Sequence, residues 1–278
     1  MIEILISILF GVVEGITEWL PISSTGHMIL LNKLVPFNVT ADFYSMYEVV
    51  IQLGAILAVI VIFFNKLFPF GKSNQPLGDG VLTYVKKDIF VLWLKIIVSC
   101  IPAAIIGIFF DDFFEALFYN PTSVAIALIV FGVGFILIEN YHKDKESKVN
   151  SLADITFKTA IIIGLFQVLA AIFPGTSRSG ATILGALLIG VSRTVAAEFT
   201  FYEAIPVMFG ASLLKLVKFG FSFTNLEILI LVFGMLTAFI VSMFAIKYLM
   251  AYVKKHDFKI FGYYRIILGI VVLLYFGI

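Results

Sequence analysis

Glu18-Trp-Leu-Pro21-Ile-Ser23-Ser24-Thr25-Gly26-His27-Met28 lies between apolar runs, from Ile4 to Val13 before it and from Ile29 to Leu31 after it. A carboxylate, three hydroxyls and an imidazole at membrane depth are costly. A central charge alone costs roughly 2.5–3.5 kcal/mol on insertion scales. Nothing structural requires that cost, so the polar island reads as a functional site. A second island, Pro174-Gly-Thr176-Ser177-Arg178-Ser179-Gly180, again sits between apolar runs.

The surrounding composition sets the solvent. Hydrophobic residues make up 61% of the chain and charged residues 13%, against about 45–50% and about 25% in soluble domains. The chain therefore reads as an all-α polytopic membrane protein, one integral membrane domain over residues 1–278. The net charge of +1 recruits no nucleic acid. Cys100 is the single cysteine, which excludes an intrachain disulfide and a cysteine metal cluster. The N-terminal stretch carries Glu3 and no basic segment, unlike a cleaved signal peptide.

A membrane helix needs about 20 mostly apolar residues. Stretches near 42–65, 89–110, 122–140, 194–217, 226–250 and 260–277 qualify. Two more, about 4–33 and 157–189, are broken by Pro21 and by Pro174-Gly175. Each broken half is too short to span, and such interrupted pairs point to re-entrant hairpins around a site. Two continuous but kinked spans are the alternative.

The halves repeat. Laying Gly11 on Gly164 brings Glu14 onto Gln167, Pro21 onto Pro174, Ser23 onto Thr176 and Ser24 onto Ser177. After a short slip, Tyr47-Glu48 falls on Tyr202-Glu203. Repeat one covers about 1–140 and repeat two about 154–278, each a re-entrant helix hairpin plus three transmembrane helices. Three spans is an odd number, so the second repeat inserts upside down, giving two inverted-topology repeats. Lysine placement agrees with this reading: connections 66–88, 141–158 and 251–259 are lysine-rich, whereas 111–121 has neither Lys nor Arg. Positive charge concentrates on the cytoplasmic side, which puts both termini outside. Only Lys218, in the turn at 218–225, blurs the pattern.

Glu14 and Glu18 are four apart, on one helix face. Gly11 and Gly15 share that stripe and admit a close neighbouring backbone. Facing carboxylates repel unless a cation or shared proton lies between them, and carboxylates plus phosphate oxygens suit a hard divalent metal. The plain alternative is a polar contact between helices with one Glu protonated. Ser23, Ser24 and Thr25 offer N-cap chemistry to a half-helix after Pro21, and Thr176 and Ser177 do the same after Pro174; Ser23, Thr25, Thr176, Ser177 and Ser179 are the candidate substrate-binding hydroxyls. Half-helix N-termini bind anions, and the fork of Arg178 matches phosphate oxygens. His27 is an acid–base or nucleophile candidate beside these hydroxyls; a hydrogen-bonded structural histidine is its ordinary reading. Glu48, Gln52, Glu198 and Glu203 fall in or near spans, without assignable roles.

The run Glu14-Gly-Ile-Thr-Glu18-Trp-Leu-Pro21-Ile-Ser23-Ser24-Thr25-Gly26-His27, joined to Pro174-Gly-Thr-Ser-Arg178-Ser-Gly180, resembles the bacitracin-resistance family of undecaprenyl-diphosphate phosphatases. The likeness extends through Glu48-Val-Val-Ile-Gln52-Leu-Gly and over essentially the whole chain. It implies a bacterial inner-membrane enzyme that removes the terminal phosphate of the C55 lipid carrier diphosphate for cell-wall synthesis. By the same resemblance, Glu14 and Glu18 match the metal-linked acidic motif; the expected cofactor is a divalent metal, Mg²⁺ or Ca²⁺, with the choice between them left open. Ser24 and His27 match catalytic positions, and Arg178 the phosphate-binding arginine.

The expected activity is metal-assisted hydrolysis of a polyprenyl diphosphate lipid. Ser24 is the expected nucleophile, with His27 or Glu18 taking its proton; water or His27 as attacking group are the other routes. The site is expected to face the periplasm or exterior, and a homodimer is compatible with the sequence. The rival is a lipid-phosphate flippase, because broken helices in inverted repeats are transporter architecture.

Overall fold

The computed structural model describes residues 1–72, 75–143 and 145–277. In chain order the helices are α1 (Ile2–Thr17), α2 (Ser24–Leu34), α3 (Ala41–Val50), α4 (Gln52–Ile62), α5 (Phe64–Leu67), α6 (Lys87–Phe118), α7 (Pro121–His142), α8 (Phe157–Ile172), α9 (Arg178–Leu188), α10 (Arg193–Phe219), α11 (Asn225–Tyr252) and α12 (Lys259–Phe276). Among the described residues there are isolated β-bridges and no strand. Six helices are long and apolar enough to cross a membrane, with α3 and α4 counted as one. They coincide with the six stretches expected from hydropathy. The two interrupted stretches are helical pairs, α1–α2 and α8–α9, parted at Glu18–Ser23 and at Phe173–Ser177.

One boundary differs from expectation. Residues 111–118, read from sequence as a loop, continue α6 to Phe118. Asp111, Asp112 and Glu115 interrupt the hydropathy, but α10 supplies their counter-ions: Lys215 Nζ lies 2.9 Å from Glu115 Oε2, and Lys218 Nζ lies 2.8 Å from Asp112 Oδ1. The connection to α7 shrinks to Tyr119-Asn120, with the Asn120 side chain accepting from Ser123 N–H as N-cap. Lys218 thus belongs with the acidic end of α6.

Packing pairs the first half of the chain with the second. Helix α1 lies along α11, α8 along α6, α7 along α12, and α3–α4 against α10. Glycine sets the closest approaches: a Cβ on Gly11 would stand 2.6 Å from Gly234 O, and one on Gly164 would run into the Ser99 backbone. The expected close approach at Gly11 and Gly15 is made by α11, where Gly15 faces Ala238 and Val241.

The helical pairs open at opposite ends of the bundle. Around α1–α2, Asn38 N–H donates to Glu3, Phe10 packs on Phe37, and Phe37 packs on Tyr44 of α3. Helix α3 in turn meets the Lys215/Lys218 end through Lys215–Ser45 and Phe43–Phe219. The mouth of α8–α9 is tied down at the other end, where Lys148 N–H donates to Gly190 O at 2.8 Å and Ser192 N–H donates to Val149 O at 2.9 Å. That end also holds the Lys66–Glu198 pair and the Arg193–Glu139 pair, Glu139 additionally accepting from Phe258 N–H.

Candidate active site

Both half-helices that follow the breaks begin with a serine at positive φ, Ser23 at 73° and Ser177 at 68°. Serine rarely adopts this region, which costs on the order of 1–3 kcal/mol and recurs at functional sites. The strain turns each chain sharply into its helix. Ser23 Oγ accepts from Gly26 N–H at 3.3 Å, and Ser177 Oγ accepts from Gly180 N–H at 3.1 Å. The caps therefore pair Ser23 with Ser177. Laying Pro21 on Pro174 pairs Ser23 with Thr176, one residue off. The second tip has one extra residue, Gly175 at φ 92°, which runs so close to Val124 that a Cβ would stand 2.7 Å from the Val124 carbonyl oxygen. Each cap satisfies one first-turn amide. The others, at residues 24–25 and 178–179, precede any helical acceptor and leave two positive helix ends at the breaks.

Glu18 joins the two tips. Its Oε2 accepts from the Ser24 hydroxyl at 2.9 Å, and its Oε1 accepts from Arg178 Nη2 at 2.8 Å. Arg178 also donates through Nη1 to Thr200 O of α10 at 3.2 Å, and Ser179 Oγ donates to the Glu18 carbonyl at 3.1 Å. The ion pair is screened from solvent, with side-chain exposures of 12% for Arg178 and 8% for Glu18. Glu14, one turn before Glu18, is 1% exposed, and its Oε1 has no hydrogen-bond partner. An orphaned buried carboxylate oxygen beside a second carboxylate is the donor set a hard cation takes, so these residues fit a divalent metal.

His27 faces elsewhere. Its Nδ1 lies 2.7 Å from Ser23 O and its Nε2 lies 2.7 Å from the Tyr264 hydroxyl, with the two rings stacked. A carbonyl only accepts, so Nδ1 carries the proton and a neutral ring takes the Tyr264 proton at Nε2. Of the two partners expected for the Ser24 hydroxyl, Glu18 is the one in contact. Thr25 contributes backbone in the first turn of α2. Thr176 is wholly buried with its hydroxyl unpartnered. Glu48 is held by Tyr44 and Tyr119, whose hydroxyls donate at 2.7 and 2.9 Å. Glu198 lies at the far end with Lys66 and Tyr202.

The assembled groups are two positive helix ends, an arginine and a hydroxyl bonded to a carboxylate, an arrangement whose charge suits an anion. Residues 7–271 match the family model described as Bacitracin resistance protein BacA. The chain belongs to this family. Relatives run end to end with it. "Undecaprenyl-diphosphatase 1" of Clostridium acetobutylicum is 64% identical over 275 residues, 99% of this chain and 98% of that protein. The "Undecaprenyl-diphosphatase" of Desulfitobacterium hafniense is 62% identical, covering 100% of this chain and 97% of its own. One from Enterococcus faecalis is 59% identical, covering 98% and 97%.

In this BacA-family chain the tips depend on a residue that the sequence reading passed over. Arg265 of α12 is fully buried and makes no ion pair among the described residues. Its guanidinium donates to Pro21 O at 3.3 Å in the first tip, and to Gly175 O at 3.0 Å and Thr176 O at 2.7 Å in the second. One planar fork thus ties both breaks together, a task suited to five fixed donors. It also leaves a positive charge under the crossing. The available signal was an arginine inside an apolar span, the same criterion that exposed the two islands.

Proposed function

We propose that this protein is an undecaprenyl diphosphatase, hydrolysing the terminal phosphate of the C55 lipid carrier diphosphate and thereby supporting cell-wall synthesis and bacitracin resistance. The observation that carries the proposal is the position of Glu18, bonded at once to the Ser24 hydroxyl and to Arg178 where two half-helix N-termini meet. Family membership and the names of the full-length relatives support the same reading.

Phosphoryl transfer is catalysed mainly by positioning and charge stabilisation. Arg178 and the free amides of α2 and α9 bind the terminal phosphoryl oxygens, and Arg178 leaves Glu18 for the substrate. Glu18, freed on that side, accepts the Ser24 proton as Ser24 Oγ bonds to the terminal phosphorus. The bond to the bridging oxygen breaks, and Glu18 returns the proton to the departing lipid monophosphate. Water then attacks the phosphoserine, giving its proton to Glu18, and Ser24 recovers a proton as phosphate leaves. A divalent ion at Glu14 and Glu18 would supply neutralisation of the charge that builds on the phosphoryl oxygens. Direct attack by water at the same position uses the same residues without the phosphoserine.

The two halves are read as inverted repeats, supported by the reciprocal packing of α1 on α11 and α8 on α6 and by the opposite mouths of the hairpins. With the lysine-rich end cytoplasmic, the α1–α2 mouth opens to the exterior of the inner membrane. The isoprenoid tail lies in the lipid-facing grooves. The opposite mouths also favour a second reading, passage of the lipid phosphate across the membrane.

The test is phosphate release from C55 diphosphate by the purified protein, with divalent metal and with chelator. Release that depends on Ser24 and Arg178 is expected. Lipid redistribution across vesicles without phosphate release would replace hydrolysis by translocation.

A further inference from the structure

A second set of unsatisfied polar groups lies where α6, α8 and α10 meet, behind Arg178. Glu203 of α10 is wholly buried, and neither carboxylate oxygen has a hydrogen-bond partner. Gln167 of α8 is 2% exposed, with both amide atoms unpartnered. Both belong to helices that pack against α6. Cys100 Sγ donates to Glu203 O at 3.7 Å, and the Ser99 hydroxyl, which donates to Ile96 O at 2.8 Å, lies beside the Glu203 carboxyl. On the other flank Gly164 abuts the Ser99 backbone, and Gln167 follows it by one turn on the same side of α8.

Buried polar groups in a membrane protein find partners, and unpaired ones mark ligands or waters. The cation acting on Glu203 is Arg178, which is already committed to Glu18 Oε1 and Thr200 O. A proton on Glu203 would turn that carboxyl into a donor able to meet the amide oxygen of Gln167, whereas the nearby Arg178 guanidinium favours the ionised form that holds a cation. A small cation would use a carboxylate, an amide oxygen and a hydroxyl together, which is the oxygen set hard cations prefer. One carboxylate supplies one negative charge, and the nearby guanidinium opposes a second positive charge on the ion. The balance selects a monovalent ion.

We propose that Glu203, Gln167 and Ser99 form a buried binding site for a monovalent metal cation of the Na⁺ or K⁺ class, separate from the carboxylates at Glu14 and Glu18. The bound ion joins α6, α8 and α10 and fixes the wall against which Arg178 rests. The site is independent of whether the protein hydrolyses or translocates its lipid.

The experiment follows thermal unfolding of the purified full-length protein, in chelator, at matched ionic strength in NaCl, KCl and choline chloride. A ligand that binds only the folded state raises the midpoint, by about 5 °C for a site well above saturation in a chain of this size. The midpoint is expected to rise in Na⁺ or K⁺ over choline, with the preferred ion identifying the source. Glu203→Gln, which keeps shape and removes charge, should lose most of the rise. Glu14→Gln should keep it, which separates this site from the first. Equal midpoints in all three salts would overturn the proposal, as would an undiminished rise in Glu203→Gln. An infrared carboxylic acid band in Na⁺ and K⁺ that vanishes in Glu203→Gln would also overturn it, since the group would then be simply protonated. If Glu203→Gln does not fold, Gln167→Leu takes its place and must show the same loss.

Discussion

Arg178→Ala removes the cation from the crossing and separates two consequences that a single variant would confuse. In the wild type, Arg178 Nη2 bonds Glu18 Oε1 at 2.8 Å, with both side chains about nine-tenths buried. Breaking a buried pair on one side leaves the other charge uncompensated, at roughly 3–5 kcal/mol. Ser24 still donates to Glu18 Oε2 at 2.9 Å, so the lower part of that range applies, about 3 kcal/mol. Catalysis loses more than stability does. Removing one preorganised donor to a developing oxyanion costs about 10²–10³ in rate, and Arg178 offers two donors and a full charge. Turnover of C55 diphosphate, measured as released phosphate, should fall at least 10²-fold. Arg178→Lys keeps the charge and loses the fork, and should fall on the order of tenfold. The double variant Arg178→Ala/Glu18→Gln removes the stranded charge, so its unfolding midpoint should recover toward wild type while activity stays lost. Near-normal turnover in Arg178→Ala would show that the arginine is only a counter-ion for Glu18. A double variant as unstable as Arg178→Ala would refute the buried-charge accounting.

Ser24→Ala should abolish turnover while leaving diphosphate binding measurable, and rapid quench of the wild type with labelled substrate should trap phosphate on the protein. A substantial rate in Ser24→Ala without a trapped intermediate would make water or His27 the attacking group. Activity should require a divalent metal and stop in chelator, and Glu14→Gln should weaken metal activation without unfolding the protein; full activity of Glu14→Gln/Glu18→Gln in chelator would remove the metal. In a Cys100→Ser background, a cysteine at Asn120 should react with an impermeant thiol reagent from outside and one at Ser147 only after permeabilisation. Labelling of both from one side would remove the inverted arrangement.

Much of the architecture was legible because a membrane imposes one-dimensional rules. A bilayer needs about 20 apolar residues per span, so hydropathy alone located all six long helices and both broken ones. Polar residues at membrane depth are expensive enough to mark a site without any structure, and the two islands do meet, through Glu18 and Arg178. The hydropathy rule failed at Asp111-Asp112 and Glu115, where charge ended the apolar run but not the helix. The reason is long-range: Lys215 and Lys218 reach these carboxylates from a helix a hundred residues away in sequence, at 2.9 and 2.8 Å.

The sequence by itself determined the solvent, the number of spans, the two breaks and the chemical types at each tip, because these follow from local composition. Tertiary structure alone decided the partners. Nothing local says that Ser24 bonds Glu18 while His27 turns to Ser23 O and Tyr264; that choice depends on φ of 73° at Ser23 and on α12 lying beside α2. The same holds for the residue that holds the site together. Arg265 stands more than eighty residues in sequence from either break, and only the packing of α12 on α7 brings its guanidinium under both tips. Hydropathy reports how much each residue costs to bury; only the fold shows which other residue offsets that cost.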